Sequence, residues 1–406
     1  MGRAVMLFGV VFAALVWAGF LPGLSDGVWR LDTLLRDELS KLLEPSRTRE
    51  DLVFLGIDEE DRKQGALDPA VVQNSRILTL MRQQVGNERL DRRVYAELIE
   101  KLAAAGARII IFDVLFVGSS GNPVADREFA EALHRHHDKV VLSLLLRPAG
   151  DGSYEPVSSV KQLPLLSRNP DRLPHEGYVN LWPDAEDGMV RRMVYTTTVS
   201  ELQSGQRRPG EPIYESLSAV TGRLLGAKVP EERSPRLRYA ISRDEEGNVR
   251  AAYAPHNLRD VFVPERWENK YAGGRFFRDK VVLVSTSTLR DEDYHPIPGA
   301  VIHGGQFHLQ ALGSLMEDGY WQEAPPWVNI VSLLAMAMLA VAIGMAFRHP
   351  IAILSAALAL GGGFMVACAV VSNISGVLFA GTPGLLGLAA VTVCAELGQF
   401  VARRGG

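Results

Sequence analysis

Two aspartates close two apolar runs, Leu52-Val53-Phe54-Leu55-Gly56-Ile57-Asp58 and Ile109-Ile110-Ile111-Phe112-Asp113. Carboxylates at the ends of adjacent strands could hold Mg2+ or Ca2+ through oxygen ligands, or bind a cationic ligand. Glu59, Glu60 and Asp61 add acids beside the first. The competing account is structural, because Asp readily caps a following turn or helix through backbone N–H groups. A second group surrounds the run Val281-Val282-Leu283-Val284-Ser285, which continues into Thr286-Ser287-Thr288. A helix around Val301–Met316 would carry Gly304 and Gly305 in its first turn. Bare N–H groups there, beside the hydroxyls of Ser285–Thr288, suit an anion; a plain polar loop is the alternative. His303 and His308 are five apart and share a helix face poorly, and His295 lies in the preceding loop. The candidate ligand-binding residues are therefore Asp58, Asp113, Ser285, Thr286, His303 and Gly304.

Other chemistry-bearing residues carry less. His134 and His137 share a helix face while His136 points elsewhere, and two imidazoles fall short of the three or four ligands zinc takes. A solvated helix end explains them, since cationic side chains suit a helix C-terminus. Arg191 and Arg192 fall in Met189–Val199, which reads as a strand with one arginine on each face; the inward one requires a carboxylate. No Walker-type glycine loop, His-Glu-x-x-His or Gly-x-Ser-x-Gly is present, and nothing supports an enzyme. No catalytic residue, metal or cofactor is expected.

The elements that must position these residues alternate as in an α/β domain. Near-continuous apolar runs are what strands buried on both faces require. After Asp58, residues 59–90 are polar and poorly periodic, an unusually long loop. Asp91 then caps a helix with Val94, Leu98, Leu102 and Ala105 on one face, and Gly106 stands at its C-cap. A helix over Asp126–His137 leads to strand Val140–Leu146. Pro212 opens a further helix with Ile213, Leu217, Val220 and Leu224 on one stripe. The expected fold is a mostly parallel sheet flanked by helices. Crevices beyond the carboxyl ends of such strands are where ligands bind, which is why Asp58 and Asp113 matter.

Long apolar runs mark the two ends of the chain. Ala4–Leu24, Trp327–Phe347, Ile351–Val371 and Val377–Leu397 are each 21 residues long, close to the ~20 needed to cross a bilayer. The expected plan is an anchor over 1–24, an extracytoplasmic domain over 25–326, three membrane helices over 327–397 and a tail over 398–406. Arg3, the Arg348-His349 link and Arg403-Arg404 place both chain ends in the cytoplasm of a multi-pass inner-membrane protein. A cleaved signal peptide is the alternative for the first run, because Val16-Trp17-Ala18 loosely fits a cleavage site. Ala359 with Gly361-Gly362-Gly363, and Gly376 with Ala380, give the small-residue spacing that lets membrane helices approach closely. The only cysteines, Cys368 and Cys394, fall in these runs, so the domain between has no disulfide, thiolate site or cysteine nucleophile. That domain is mildly acidic, with no footprint for nucleic acid or anionic lipid.

Taken in order, Val53–Asp58, Arg93–Phe116 (RVYAELIEKLAAAGARIIIFDVLF), Gly177–Val194 (GYVNLWPDAEDGMVRRMV), Phe277–Ser285 (FRDKVVLVS) and Pro298–Leu315 (PGAVIHGGQFHLQALGSL) form a pattern. It resembles the second type of CHASE domain, the extracellular sensory module found with cyclases and histidine kinases. One span before the module and three after it also match that family's usual layout. The resemblance implies a sensor that passes an external signal across the membrane. Two departures stand out: Ser285-Thr286-Ser287-Thr288 replace the small residues usual after that strand, and no output domain follows Leu397. The expected function is signal input to a separate cytoplasmic or membrane partner, with an unknown ligand, lipid contact and a homo-oligomer left open. A membrane assembly scaffold and a metal-dependent extracytoplasmic hydrolase built on Asp58 and Asp113 are the alternatives.

Overall fold

The computed structural model describes residues 2–17, 20, 22–42, 48–58, 67–83, 90–150, 152–160, 163, 166, 172–243, 249–288, 293–347 and 349–404. The chain divides into two compact units, one formed by Ser46–Gly319 and the other by Met1–Pro45 together with Tyr320–Gly406.

The Ser46–Gly319 unit is built on a seven-stranded sheet. Its labelled elements are β1 (Leu52–Ile57), α1 (Arg92–Ala104), β2 (Ile109–Asp113), α2 (Pro123–Arg135), β3 (Val140–Pro148), β4 (Tyr154–Ser158) and β5 (His175–Tyr178). They continue with α3 (Leu217–Leu224), β6 (His256–Asn257), β7 (Val281–Thr286), β8 (Tyr294–Ile297), β9 (Ala300–His303) and α4 (Gly304–Glu317). The sheet order is β6-β1-β7-β2-β3-β4, with β5 also paired to β3. All of these pairings are parallel except β3–β4. β8 and β9 form a separate antiparallel hairpin.

Alternation along each strand sends side chains to two apolar layers. Val53, Leu55, Ile110, Phe112, Val282 and Val284 pack with Val94, Leu98 and Leu102 of α1 and with Phe129 and Leu133 of α2. Leu52, Phe54, Ile109, Ile111, Val281 and Leu283 pack with Leu217 and Val220 of α3 and with Leu309 and Leu312 of α4. Helices on both faces are the reason the strands read as unbroken apolar runs. Local signals behave as their chemistry requires: the Asp91 carboxylate accepts from Arg93 N at 2.9 Å, and Gly106 turns with φ +86° just past α1, a geometry that disfavours side chains with a Cβ.

Four expectations need correction. The stretch 59–90 is not one loop, because its described part holds helices Pro69–Gln73 and Arg76–Gln83; the first starts where the Asp68 side chain accepts from Ala70 N, with Pro at its first turn. The helix expected from Pro212 starts only at Leu217: Tyr214–Glu215 is strand, and Ser216 Oγ accepts from Ala219 N. Val301–His303 belongs to β9, so the following helix begins at Gly304. Finally, Met189–Val199 is not one strand. Only Thr196–Thr197 pairs as strand, and Arg192 makes an isolated bridge to Arg236.

Among the described residues, the other unit contains five helices: Gly2–Trp17, Pro22–Leu42, Pro326–Ala346, Pro350–Ser375 and Thr382–Arg404. Four membrane spans were expected, and among the described residues two helices, Pro326–Ala346 and Pro350–Ser375, are long and apolar enough to cross a membrane. Only 22% of the most apolar stretch of each is buried, unlike a helix in a soluble core. Gly2–Trp17 has 16 residues, about 24 Å of helix against the ~30 Å of a hydrocarbon core. Its apolar run reaches 21 residues in sequence by counting Pro22-Gly23-Leu24, which opens a different, amphipathic helix. The last run is shortened in the same way, since Val377–Leu378 is strand and the helix starts at Thr382. Its start is fixed by Asp32, whose carboxylate accepts from Thr382 Oγ1 at 2.6 Å. Of the small residues expected to bring these helices together, Gly361 does pack closely, a Cβ there lying 3.3 Å from Leu385 Cδ2, and Gly9 joins it. A Cβ on Gly9 would lie 3.1 Å from the Ala390 carbonyl, whereas Gly362 and Gly363 have open space around them.

Candidate functional site

The carboxyl ends of β1, β7 and β2 lie side by side, with Gly56 opposite Ser285 and Ser285 opposite Asp113. This register separates the two aspartates that sequence placed on adjacent strands. β7 stands between β1 and β2, two strand spacings or about 10 Å, and their carboxylates have different partners. Asp58 accepts from Asn257 Nδ2 at 2.7 Å, on the β6 side. Asp113 accepts from Ser285 Oγ at 2.9 Å, on the β7 side. The carboxylate pair proposed for a shared divalent ion is therefore not formed. Glu59, Glu60 and Asp61 lie outside the described residues.

Ser285 and Asp113 point toward α4 on the face carrying Leu283 and Ile111, and alternation turns Thr286 to the opposite face. The first turn of α4 lies directly over Ser285: a Cβ on Gly305 would come 2.8 Å from the Ser285 Cβ. The anion expected at this helix start is supplied by the chain itself. A Cβ on Gly304 would come 2.7 Å from Asp293 Oδ1, and Gly304 N donates to the Asp293 carbonyl at 3.1 Å. A carboxylate beside a helix N-terminus is favoured by the helix dipole. Gln306 Oε1 takes the His303 N–H at 3.2 Å, holding the entry to the turn.

Histidines complete the cluster. His295 Nε2 is 2.9 Å from Asp293 Oδ1. The β8–β9 hairpin sets Tyr294 opposite His303, with their rings 4.4 Å apart, and Phe54 lies edge-on to the His303 ring. His308, one turn into α4, is buried; Nδ1 has no hydrogen-bond partner, and the Val179 carbonyl holds the ring's other side. Five ionisable side chains thus meet between β2, the β8–β9 hairpin and α4. Among the described residues, no three His, Cys, Asp or Glu side chains are grouped so as to hold a metal ion.

Burial drives the electrostatics here. Desolvation raises the pKa of Asp113 despite the nearby His308 and the Ser285 hydrogen bond. Desolvation lowers His308, against the pull of Asp113 and Asp293, and likewise lowers His303 against Asp293. Asp293 goes the other way: burial would raise it, but the His295 hydrogen bond and the charges of His295, His308 and His303 outweigh burial and bring it down. The cluster therefore contains one carboxyl held toward its acid form, one held as an anion, and two imidazoles held neutral.

Of the six sequence candidates, Asp113, Ser285, His303 and Gly304 meet at this site, while Asp58 and Thr286 stand apart from the cluster. Asp293 was missed. Its signal was present as an acidic residue ahead of a glycine-led helix, but the hairpin that folds it back was not legible. The other buried charge expected from sequence is found. Arg191 is buried and bonds Asp184 Oδ2 and Asp187 Oδ2, each at 2.6 Å, although on a loop and not within a strand. The histidines at 134–137 serve the end of α2: His136 Nε2 is 3.0 Å from Glu100 Oε2, and His137 Nδ1 is 3.2 Å from the His134 carbonyl.

Neither a curated protein nor a solved structure matches this chain. The family model described as the CHASE2 domain matches residues 9–345, taking in the whole seven-stranded sheet, the α4 cluster and the helix Pro326–Ala346, and the chain belongs to this family of sensory domains.

Proposed function

We propose that the chain is a non-enzymatic membrane sensor whose α/β unit lies outside the cytoplasm and whose signal passes across the membrane to a separate partner. The observation that carries this is chain order. The α/β unit is one continuous stretch, Ser46–Gly319, and both of its ends run into segments of the helical unit. Any change of shape in the α/β unit therefore has two covalent routes into that unit. One of them reaches the apolar helices Pro326–Ala346 and Pro350–Ser375.

Orientation follows from the basic residues between those two helices. Arg348 and His349 form the link, and short basic links stay in the cytoplasm. The α/β unit, which precedes the first of the two helices, is then outside. A reporter active only outside the cytoplasm, fused after Gly376, is expected to be active, and one fused after His349 silent. The reverse pattern, or equal activity from both, defeats the orientation. Co-purification of a cyclase, kinase or phosphatase with the full chain tests the separate partner.

A further inference from the structure

The cluster under α4 combines ionisable side chains from β2, the β8–β9 hairpin and α4 with one gap in its hydrogen bonding. Among the described residues, its titratable groups are Asp113 from β2, Asp293 ahead of β8, His295 from β8, His303 from β9 and His308 from α4. Ser285 from β7 contributes a neutral hydroxyl, and Tyr294 packs ring to ring with His303. His308 is only 3% exposed. The Val179 carbonyl engages its ring, which requires an N–H on that side and leaves Nδ1 as a bare lone pair. Among the described residues, no group donates to Nδ1. A buried lone pair in a cluster that keeps Asp293 as an anion is a proton acceptor with its counter-charge already in place.

We propose that this cluster is a proton site: the stimulus registered by the α/β unit is acidification, and the proton is taken up at His308 Nδ1 with Asp293 supplying the compensating negative charge. The inference rests on the sensor reading for the word stimulus, while the proton site itself can be measured independently.

The pKa directions agree with the geometry. Asp113 is raised and His308 lowered, so the two move toward each other from ordinary values of about 4 and 6.5. Asp293, lowered, remains an anion between those values. A depressed histidine contributes stability that is present above its ordinary pKa and lost as pH falls through its folded value. A raised aspartate contributes stability that is present below its ordinary pKa and lost as pH rises through its folded value. The pair is therefore best accommodated with a single proton between its two members, and a second proton places a charge beneath the first turn of α4. That turn has little room to absorb it, because Gly305 sits against Ser285 and Gly304 against Asp293. α4 is also the last helix of its unit, and the chain continues from it to Pro326–Ala346.

The test is hydrogen exchange on the full chain in lipid nanodiscs, following peptides across Gly304–Glu317 at about pH 7.5 and pH 5 with rates corrected for intrinsic exchange. Protection is expected to fall about tenfold or more on acidification, with His308→Gln abolishing the pH dependence. Asp293→Asn removes an anion that favours the imidazolium and is expected to move the midpoint to lower pH. Equal protection at both pH values in the wild type overturns the proposal, as does a wild-type transition in His308→Gln. Should His308→Gln lose protection across the whole sheet already at pH 7.5, Asp293→Asn decides, and an unshifted midpoint overturns the proposal. None of these results depends on the reporter fusions, so the proton site and the orientation can fail separately.

Discussion

Arg191 and His308 are equally buried in the same α/β unit, each 3% exposed, yet their surroundings are opposite. Arg191 meets two carboxylates, Asp184 and Asp187, each through a bond of 2.6 Å, and its hydrogen bond holds the Asp187 carboxyl below the ordinary range. His308 meets a carboxyl group that burial pushes toward its acid form, and one of its ring nitrogens has no partner. The first arrangement is closed: the buried cation has a carboxylate bonded at each of its two terminal nitrogens. The second is open, because proton count and hydrogen bonding remain to be settled by what enters. Equal burial therefore does not imply equal function. What separates a structural charge from a responsive one is whether its surroundings are already complete.

The largest expected effect tests the closed side. Replacing both Asp184 and Asp187 with Asn leaves Arg191 buried without an anion, and an uncompensated buried charge costs about 3 kcal/mol or more. Both carboxylates are partly exposed, so water softens the loss toward the lower end. Denaturant titration of the full chain measures it, and a loss under about 1 kcal/mol means that Arg191 is not held by these two acids.

A smaller effect distinguishes the two glycines over the open cluster. Gly305→Ala forces a methyl group to within 3.0 Å of Leu283, Phe54 and the Ser285 Cβ, all core atoms, at a cost of about 1–3 kcal/mol. The three atoms nearest a Gly304 methyl all belong to the Asp293 carboxylate, which can rotate away, so Gly304→Ala is expected to cost less stability. Equal losses would show that the Asp293 carboxylate is locked as firmly as the core.

Asp113→Asn tests whether the aspartate is the raised member of the pair. Its folded pKa lies above the ordinary value because of desolvation, so the charged form is the costly one. The neutral isostere is expected to melt higher than the wild type near pH 8, with the gain shrinking as pH falls and the wild-type carboxyl takes up its own proton. A variant that loses stability as pH rises, relative to wild type, reverses the sign and places a stabilising anion at this position.

The α/β layering was legible because it is written in local, repeated signals. Apolar runs such as Ile109–Phe112, the Asp91 cap and the turn at Gly106 each depend on neighbours in sequence. What was not legible depends on neighbours in space. Insertion of β7 between β1 and β2 occurs some 170 residues after β2, and only that crossover separates Asp58 from Asp113. The Asp293 carboxylate reaches the start of α4 through a hairpin whose strands contain Pro296 and a central Pro298-Gly299 turn, weak strand signals on their own. Likewise, the apolar content of the terminal runs was plain, but their breaks at Pro22 and before Thr382 follow from helix geometry that hydropathy does not see. Four of the six residues singled out in sequence, Asp113, Ser285, His303 and Gly304, therefore meet in space, while β7 stands between Asp58 and Asp113.

The smallest expected effect concerns the candidate that the fold set aside. Asp58 accepts a hydrogen bond from Asn257 Nδ2, and Asn at position 58 keeps an acceptor oxygen of nearly the same size, so Asp58→Asn should change stability by no more than about 1 kcal/mol. The measurement becomes informative when Mg2+ or Ca2+ is added to the full chain. An ion bound by the folded state raises the melting temperature with its concentration, and an ion shared by Asp58 and Asp113 would need both carboxylates charged and within reach. Two strand spacings separate them, and Asp113 is held toward its acid form. Wild type and Asp58→Asn are therefore expected to respond alike to either ion. A saturable stabilisation in the wild type that disappears in both Asp58→Asn and Asp113→Asn would show the two strand ends closing on one ion, and the open cluster under α4 would then be half of a cation site.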